Sequence, residues 1–305
     1  MGTRTIRVAD RWAIFNLPWH VAEEEAYFAE EGIAVEFTMS EAAPRPTPSG
    51  YATALFGEGR NKERAFHIDA AIDAYNTCEW GAIQRTSAGQ RQGKIIGERS
   101  SVVAMAIVAS PSSKIHALRD LAGVPIARSF YNGDHYLILE LVGGAVGRDD
   151  TLPVHTEGGY HDRVRKLVSG EIQAGTLMEP YLSLAEKNGA RIITETYFRG
   201  AEVGSPDLSP EAIARIFRAL GKAARKINGD LAHYVPRFVA EANRDAAGLI
   251  PIEAADFRWQ RLRYVEPEPY TQAEFRRTYD WMVNWNLVAP GHRYEDLVRA
   301  DVVAV

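Results

Sequence analysis

The sequence contains a single cysteine, Cys78, among 305 residues. One cysteine cannot form a disulfide within the chain, so the redox compartment of the protein cannot be read from cysteine pairing. Long apolar runs are also missing, and none approaches the roughly 20 residues that a membrane-spanning helix needs. The start of the chain, Met1–Asp10, shows strand-like alternation and no basic segment followed by a long apolar one. We therefore expect a cytoplasmic protein, or a periplasmic one if a leader peptide has been removed.

Charge is neither strongly positive nor clustered. Lys and Arg together number 35 against 40 Asp and Glu, which gives a formal net charge of −5. Such a balance lacks the basic stripe that binds phosphate backbones, so no nucleic-acid partner is predicted. The sequence also has no pair of histidines or acids at metal-ligand spacing, no phosphate-cradling glycine loop and no nucleophile elbow. Neither a metal nor a nucleotide cofactor is therefore predicted.

The order of strand-like and helix-like segments predicts an α/β protein of two lobes, for which 305 residues suffice. In the first hundred residues, apolar periodicity predicts the order β-α-β-α-β, which is typical of a mainly parallel sheet. The predicted strands are Ile6–Val8, Val35–Met39 and Ile68–Ile72; a helix that begins at Pro18 and stops at Gly32 follows the first, and a helix that carries Cys78 follows the third.

A second α/β unit is predicted to begin at residue 102, because the apolar run 102–109 is long enough to leave the first sheet and enter another. The predicted strand 191–196 would return the chain to the first lobe. We therefore predict lobe I from residues 1–101 and 200–305, and lobe II from residues 102–199. Further predicted strands are 124–128 and 172–178, and further predicted helices are 117–121, 133–146, 162–167, 180–187, 210–227, 231–243 and 272–284.

Three stretches resemble motifs of one family. Residues 21–36, VAEEEAYFAEEGIAVE, are similar to the opening motif of the nitrate-, sulfonate-, taurine- and thiamine-precursor (pyrimidine)-binding proteins. Residues 118–127, LRDLAGVPIA, resemble that family's entry into the second lobe. Its later signature is matched by VRKLVSGEIQA at 164–174 and MEP at 178–180. The chain departs from these motifs at Ala26, Val124 and Gln173, where glycine, lysine and aspartate are usual.

The resemblance implies the two-lobed type II periplasmic-binding-protein fold of ABC-transporter substrate-binding proteins. In that fold, each lobe is a mainly parallel sheet flanked by helices, and the lobes close by a hinge motion on a ligand in the cleft between them. The N-terminal and C-terminal segments together form one lobe. An exported member would deliver its small-molecule ligand to an ABC permease.

Candidate ligand-binding residues follow from the sheet, because ligands of parallel α/β sheets bind beyond the carboxyl ends of the strands. Aromatic side chains after the first strand could stack on a flat ligand or fill the core. The histidine of that segment could contact the ligand or lie at the surface. In lobe I the candidates are Trp12, Asn16, Trp19, His20, Ser40 and Asn76.

Cys78 is the candidate nucleophile if the protein is an enzyme, with Glu79 and His20 as the acid-base candidates. A cysteine in the first turn of a helix has its thiolate stabilised by the helix dipole, whereas the adjacent carboxylate of Glu79 opposes that effect. A buried, unreactive cysteine is the alternative interpretation.

In lobe II, the predicted strand-to-helix turn at 129–136 contains Asn132, Asp134 and His135. Sulfonate-binding relatives hold an anion on the free N–H groups of this turn. The carboxylate of Asp134 would occupy the place of that anion, which favours a neutral or cationic ligand such as an amine, amidine or pyrimidine. The alternative is that Asp134 only caps its helix.

Two further candidates in lobe II are Glu179 and His161. Glu179 follows the predicted strand that ends at Met178, which points it to the mouth of the cleft. His161 lies at a predicted helix start and could close over the ligand. The alternatives are a solvated acid at a helix start and a surface histidine.

The resemblance favours capture of a small polar organic molecule for an ABC importer of the nitrate, sulfonate, taurine or pyrimidine class. The alternative is a cytoplasmic enzyme on the same fold, because desulfinases, decarboxylases, lyases and a pyrimidine synthase act on small aromatic or heterocyclic substrates with this architecture. None of their full motifs is present. A cytoplasmic ligand sensor is a third possibility, which no attached partner domain supports.

Overall fold

The computed structural model describes residues 5–10, 13–38, 55, 61–89, 91–129, 131–156 and 158–302. The chain divides into two compact units. The first unit comprises Met1–Ser101, Arg199–Gly229 and Tyr264–Val305, and the second comprises Val102–Phe198 and Asp230–Arg263. Residues 230–263 therefore belong to the second unit, whereas the sequence analysis places them in lobe I.

Strands and helices alternate along most of the chain. In chain order, the elements are β1 (Thr5–Ala9), α1 (Ala13–Glu24), α2 (Tyr27–Glu30), β2 (Ala34–Thr38), α3 (Asn61–His67), β3 (Ala74–Cys78), α4 (Glu79–Ala88), β4 (Lys94–Ala109), a 3-10 helix (Leu118–Leu121), β5 (Pro125–Arg128), α5 (Gly133–Val146), β6 (Leu152–His155), α6 (Tyr160–Ser169), β7 (Ala174–Met178), α7 (Tyr181–Lys187), β8 (Arg191–Gly204), α8 (Pro210–Gly229), α9 (Leu231–Asn243), a second 3-10 helix (Trp259–Arg261), β9 (Leu262–Tyr264), α10 (Gln272–Asn284) and α11 (Tyr294–Leu297). The predicted helices 133–146, 231–243 and 272–284 agree with α5, α9 and α10 to the residue.

The first unit contains the predicted parallel strands. β1 lies between β2 and β3 and pairs in parallel with both, with Ile6 opposite Val35. β3 also pairs with the end of β8, but antiparallel, and this register places Asn76 opposite Glu202. Residues opposite each other in an antiparallel pair project from the same face of the sheet, so these two polar residues share a face.

Helices α1, α2 and α8 cover part of the first unit. The apolar residues of α8 recur every three or four positions, which gives the helix one buried face. Ile213, Ile216, Phe217 and Leu220 lie on that face and are fully or almost fully buried. Ala26, between α1 and α2, has a left-handed backbone with φ +60°. This conformation explains why glycine is usual at this position of the family motif.

In the second unit, β5 lies between β6 and β7 and is parallel to both, while β7 pairs antiparallel with β4. A buried apolar cluster forms from β4, β5, α5 and the 3-10 helix, and includes Ile107, Leu121, Ile126, Ile138 and Val142. Strand β6, at the edge, is absent from the sequence prediction. Its short segment LPVH carries a proline and is mostly exposed, so it shows little hydrophobic periodicity.

Polar contacts attach residues 230–263 to the second unit. They join α6 and α7 to α9 and the segment after it. Tyr181 Oη donates to Glu241 (3.3 Å), His161 Nε2 donates to the carbonyl of Ala242 (2.9 Å), and Arg165 Nη1 donates to the carbonyl of Asp245 (2.8 Å). An amphipathic helix pattern specifies a buried face but not the neighbour that covers it, so the sequence could not make this assignment.

Pro18 does not begin a helix, as the sequence predicts, but lies inside α1, which begins at Ala13. A proline has no N–H, so the carbonyl four residues earlier, on Ile14, lacks its helical donor. The hydroxyl of Tyr264 donates to that carbonyl at 3.0 Å. A tertiary hydrogen bond thus replaces the missing helical one.

The third strand is β3, Ala74–Cys78, and not the predicted Ile68–Ile72. The N–H groups of Ile68 and Asp69 both donate to the carbonyl of Arg64, which closes the end of α3. All five residues of β3, AYNTC, are buried. A strand that is buried on both faces and contains Asn and Thr has no apolar alternation, so periodicity could not identify it.

Candidate functional site

Polar side chains line up from the carboxyl end of β1 to the middle of β3 in the first unit. His20 Nε2 lies 3.0 Å from Asp10 Oδ1, and Asn16 Nδ2 lies 3.4 Å from the same oxygen. Asn16 Nδ2 also donates to the carbonyl of Ala9 (2.8 Å), and Asn76 Nδ2 donates to Asn16 Oδ1 (2.7 Å). We call Asp10, His20, Asn16, Asn76 and Glu202 the polar row, since Glu202 lies opposite Asn76.

The polar row runs from solvent into the unit. The side chains of His20 and Asp10 are 27% and 28% exposed, whereas Asn16 and Asn76 are buried. The ring of His20 stacks on Phe37, with 4.4 Å between centroids. The row therefore has an aromatic surface at its outer end and hydrogen-bonding groups along its length.

Glu202 ends the polar row in the interior. Its Oε1 accepts a hydrogen bond from Trp19 Nε1 at 3.3 Å. Its Oε2 is buried and has no hydrogen-bond partner among the residues that the structure describes. Burial raises the pKa of Glu202 to about 7, although the Trp19 hydrogen bond and the charges of Arg99 and Lys62 lower it in part.

Arg99 is a buried cation whose charge acts on Glu202. Its guanidinium lies over the ring of Phe15, with 4.0 Å between Cζ and the ring centroid. Gly200 permits this position, because a Cβ there would come within 2.7 Å of Arg99 Cζ. Burial lowers the pKa of Arg99 to about 10, and the charge of Glu202 raises it in part.

Cys78 is the last residue of β3 and the N-cap of α4, rather than a residue of the helix's first turn. Its Sγ accepts a hydrogen bond from the N–H of Gly81 at 3.3 Å. Burial raises the pKa of the Cys78 thiol, and the charge of Arg85 offsets only part of that effect. A buried thiol with a raised pKa is protonated at neutral pH and is a poor nucleophile.

Glu79 and His20 do not form a catalytic arrangement with Cys78. Glu79 Oε2 accepts hydrogen bonds from Tyr270 Oη (2.9 Å) and Thr278 Oγ1 (3.3 Å). His20 pairs with Asp10 instead. In the described part of the chain, no hydrogen bond connects Cys78 with either residue.

Asp134, in the second unit, is fully buried, and its charge is neutralised by a buried arginine. Its Oδ2 lies 2.9 Å from Arg163 Nη1 and accepts the N–H of Ser129 at 2.8 Å. Arg163 also donates to the carbonyl of Thr176 (2.8 Å) and to Ser129 Oγ (3.0 Å). Asp134 thus forms a buried ion pair, and its charge is no longer an argument for a cationic ligand. Arg163 was not a sequence candidate.

Asn132 and His135 flank Asp134 at the start of α5. Asn132 is the N-cap of α5, but its side chain makes no capping hydrogen bond. His135 Nδ1 lies 3.4 Å from the N–H of Tyr131, and its ring stacks on Tyr136 with 5.7 Å between centroids. These two candidates therefore lie together with Asp134, as their spacing in sequence requires.

Glu179 is fully buried and does not project as a solvated acid. Its carboxylate accepts from the N–H (3.1 Å) and Oγ (3.0 Å) of Ser183 and lies 3.0 Å from Arg261 Nη1. Burial raises its pKa, and Arg261 lowers it in part. His161 is also engaged, since it donates to Ala242 and packs edge-on against Tyr181. Both residues attach the 230–263 segment to the second unit.

The structure thus brings Asn16, His20 and Asn76 together in the first unit, with Trp19 beside Glu202. Trp12 and Ser40 lie outside the described residues. Glu202 was missed, because the predicted strand stops at Thr196 whereas β8 continues to Gly204. The sequence does contain a clue to Glu202. It lies between the apolar residues Ala201 and Val203, so a strand through this segment would bury its charge.

Within the described ranges, no helix is both long and apolar enough to cross a membrane. In the same ranges, no group of three or more His, Cys, Asp or Glu side chains is arranged to hold a metal ion.

Comparisons with known proteins identify the fold. No family model and no curated protein sequence matches the chain. Among solved structures, the alkanesulfonate-binding protein SsuA from Xanthomonas axonopodis pv. citri, bound to MOPS, is similar at TM-score 0.68 and 14% identity, with 98% of each chain covered. The periplasmic aliphatic sulphonate binding protein SsuA from Escherichia coli is similar at TM-score 0.69 and 14% identity, covering 99% of this chain and 94% of that one.

An enzyme is similar as well. The desulfurization enzyme DSZB superposes at TM-score 0.66 and 14% identity, with 97% of each chain covered. Similarity at this level of identity establishes the fold and not the activity. The prediction of fold from the three sequence motifs is confirmed: the chain has the two-lobed α/β fold of type II periplasmic binding proteins.

Proposed function

We propose that the protein binds a small polar organic molecule without converting it, as the substrate-binding component of an ABC importer of the nitrate, sulfonate, taurine or pyrimidine class. The observation that carries this proposal is the polar row of the first unit. It begins beyond the carboxyl end of β1, where ligands of parallel α/β sheets bind, and continues to Asn76 in β3 and Glu202 in β8.

The chemistry of the polar row suits recognition. Asn16 and Asn76 offer amide donors and acceptors held in place by each other, and Phe37 with His20 offers a stacked aromatic surface. Ligand sites typically combine apolar surface with a few fixed polar groups that set orientation. The row contains no nucleophile next to a base.

The enzyme alternative depends on Cys78, Glu79 and His20. A reactive cysteine needs a thiolate, and thiolates occur in partly exposed, electropositive surroundings. Cys78 is instead buried with a raised pKa, and no hydrogen bond connects it to His20 in the described chain. These features support binding over cysteine-based catalysis.

The test is a thermal-shift screen of amines, amidines, pyrimidines, sulfonates and aromatic acids, followed by mass spectrometry of every ligand that stabilises the protein. A ligand at 100 times its dissociation constant stabilises by about 2.7 kcal/mol, which is readily measured. Cys78→Ser is the matched variant, because the hydroxyl keeps an acceptor at the N-cap of α4.

For a binding protein, every ligand is recovered unchanged and Cys78→Ser binds as the wild type does. Conversion of a ligand by the wild type, abolished in Cys78→Ser, would overturn the proposal and make the protein an enzyme.

A further inference from the structure

Glu202 has an unfilled hydrogen-bonding position in the interior of the first unit. Its residue is 1% exposed, and one carboxylate oxygen has no partner among the described residues. A buried polar atom without a hydrogen bond costs about 1–3 kcal/mol, and more when the group is charged. A buried unsatisfied carboxylate oxygen calls for a specific explanation, and a hydrogen bond to a ligand is one.

The hydrogen-bond donors Trp19 and Lys62 do not reach Oε2 of Glu202. Trp19 Nε1 bonds Oε1, and Lys62 Nζ donates to the carbonyl of Asn76 at 2.6 Å. Arg99 makes no ion pair with Glu202, although its charge acts on it. The carboxylate therefore feels the positive charges of Arg99 and Lys62, but no donor of the described chain reaches its Oε2.

The position of Glu202 links it to the proposed ligand site. It lies opposite Asn76 on the same face of the sheet, and Asn76 leads through Asn16 to Asp10 and His20, which reach solvent. Glu202 is thus the innermost member of the polar row, whose outer members are partly exposed.

We infer that Oε2 of Glu202 accepts a hydrogen bond from an N–H group of the ligand, so that the ligand carries an amine, amidine or amino-substituted heterocycle. This inference rests on the proposed function and names the ligand class for the same site. A carboxylate acceptor binds N–H donors strongly and repels sulfonate, nitrate and carboxylate groups, which carry negative charge and no donor. The ligand class therefore differs from that of the SsuA proteins.

The test uses three probes of one shape: benzamidine, benzamide and benzoate. They share a phenyl ring and a planar head group, but the head is a cationic donor, a neutral amide and an anionic acceptor, respectively. Dissociation constants are measured by calorimetry at pH 8 for the wild type and for Glu202→Gln. The matched control is Glu63→Gln, which alters another buried carboxylate of the first unit, one that lies 4.0 Å from Arg85.

We expect the wild type to bind benzamidine most tightly, benzamide more weakly and benzoate least. Glu202→Gln should weaken benzamidine at least tenfold and reduce the preference over benzoate, because the substitution replaces an acceptor oxygen by an NH2 group. Glu63→Gln should keep the wild-type order. Preference of the wild type for benzoate, absence of benzamidine binding, or equal benzamidine affinity in Glu202→Gln overturns the inference.

A measurement on the wild type keeps the inference testable if Glu202→Gln does not fold. Benzamidine needs the ionised carboxylate, so its affinity should rise about tenfold between pH 6 and pH 8 as Glu202 loses its proton. The charged groups that act on Glu202 are Arg99 and Lys62, and Cys78 acts on Arg99 in turn. A flat profile overturns the inference.

Failure of this inference is distinguishable from failure of the proposed function. A ligand from the screen that is recovered unchanged and whose affinity is insensitive to Glu202→Gln contradicts only the role of Glu202. A ligand that is chemically converted contradicts the binding function, whatever Glu202 does.

Discussion

The two units each bury a carboxylate near the carboxyl end of a strand, with opposite consequences. In the second unit, Asp134 is paired with Arg163 at 2.9 Å and also accepts a backbone N–H. In the first, Glu202 has a single donor, Trp19, and an oxygen without a partner in the described chain. Asp134 is therefore held by a structural ion pair, whereas Glu202 has one carboxylate oxygen with no hydrogen-bond partner among the described residues. Burial alone does not distinguish the two; their partners do.

The largest effect should follow from Arg163→Met. It leaves the buried carboxylate of Asp134 without its cation, and breaking a buried ion pair in this way costs about 3–5 kcal/mol of the free energy of unfolding. Chemical denaturation at pH 7 measures the loss. The double variant Arg163→Met with Asp134→Leu should recover much of it. A loss below about 1 kcal/mol in the single variant would show that the pair does not hold Asp134.

Glu202→Gln should raise the free energy of unfolding at high pH, whereas Arg163→Met should lower it. The pKa of Glu202 in the folded protein is about 7, above its ordinary value of 4.5. The folded state therefore binds more protons between pH 4.5 and 7, and the stability of the wild type falls as pH rises through that window. The full penalty, about 3 kcal/mol, applies above pH 7.

Urea denaturation at pH 5 and pH 8 checks this sign. The variant should be more stable than the wild type at pH 8, and the difference should shrink at pH 5. By contrast, Asp134→Asn should destabilise at both pH values, because Arg163 loses its counter-ion. A Glu202→Gln variant that is equally destabilised at both pH values would erase the contrast between the two carboxylates.

Trp19→Phe should have a smaller effect. It removes the Trp19 hydrogen bond to Glu202 while keeping most of the buried ring. A hydrogen bond to a charged group contributes about 1.5–3 kcal/mol, so we expect a loss in that range at pH 8 and a smaller loss at pH 5, where Glu202 is protonated. An equal loss at both pH values would assign the effect to packing alone.

The smallest effect on stability is expected for Cys78→Ser. Cysteine is a weak acceptor at the N-cap of α4, so exchange for serine should change the free energy of unfolding by less than about 1 kcal/mol. In the native wild type, Cys78 should react with a disulfide reagent only as fast as the protein opens, because the thiol is buried with a raised pKa. Rapid stoichiometric labelling of the native protein would contradict its assignment as unreactive.

The fold can be predicted from the sequence because its motifs reflect local backbone conformation and local apolar periodicity. The family glycine position, here Ala26, has a left-handed backbone, and Gly170, within the motif at 164–174, is a left-handed C-cap of α6. Helices with clear apolar faces, such as α9 and α10, were predicted to the residue. Local geometry and periodicity are both encoded within a few neighbouring residues.

The candidate site was less predictable, because its properties depend on distant partners. Nothing near Asp134 in sequence indicates that Arg163 neutralises it, and nothing near Glu202 indicates that Trp19 is its donor. β3 was missed because a strand with buried Asn76 has no apolar alternation. Polar residues in buried strands break the apolar alternation by which strands are recognised, and two members of the polar row, Asn76 and Glu202, are of this kind.

Calorimetric titration of benzamidine at pH 8 into the wild type and Glu202→Gln tests the account most directly. We predict measurable binding to the wild type, affinity at least tenfold weaker in the variant, and benzamidine recovered unchanged. Equal affinity in the two proteins, or no binding to the wild type, would contradict it.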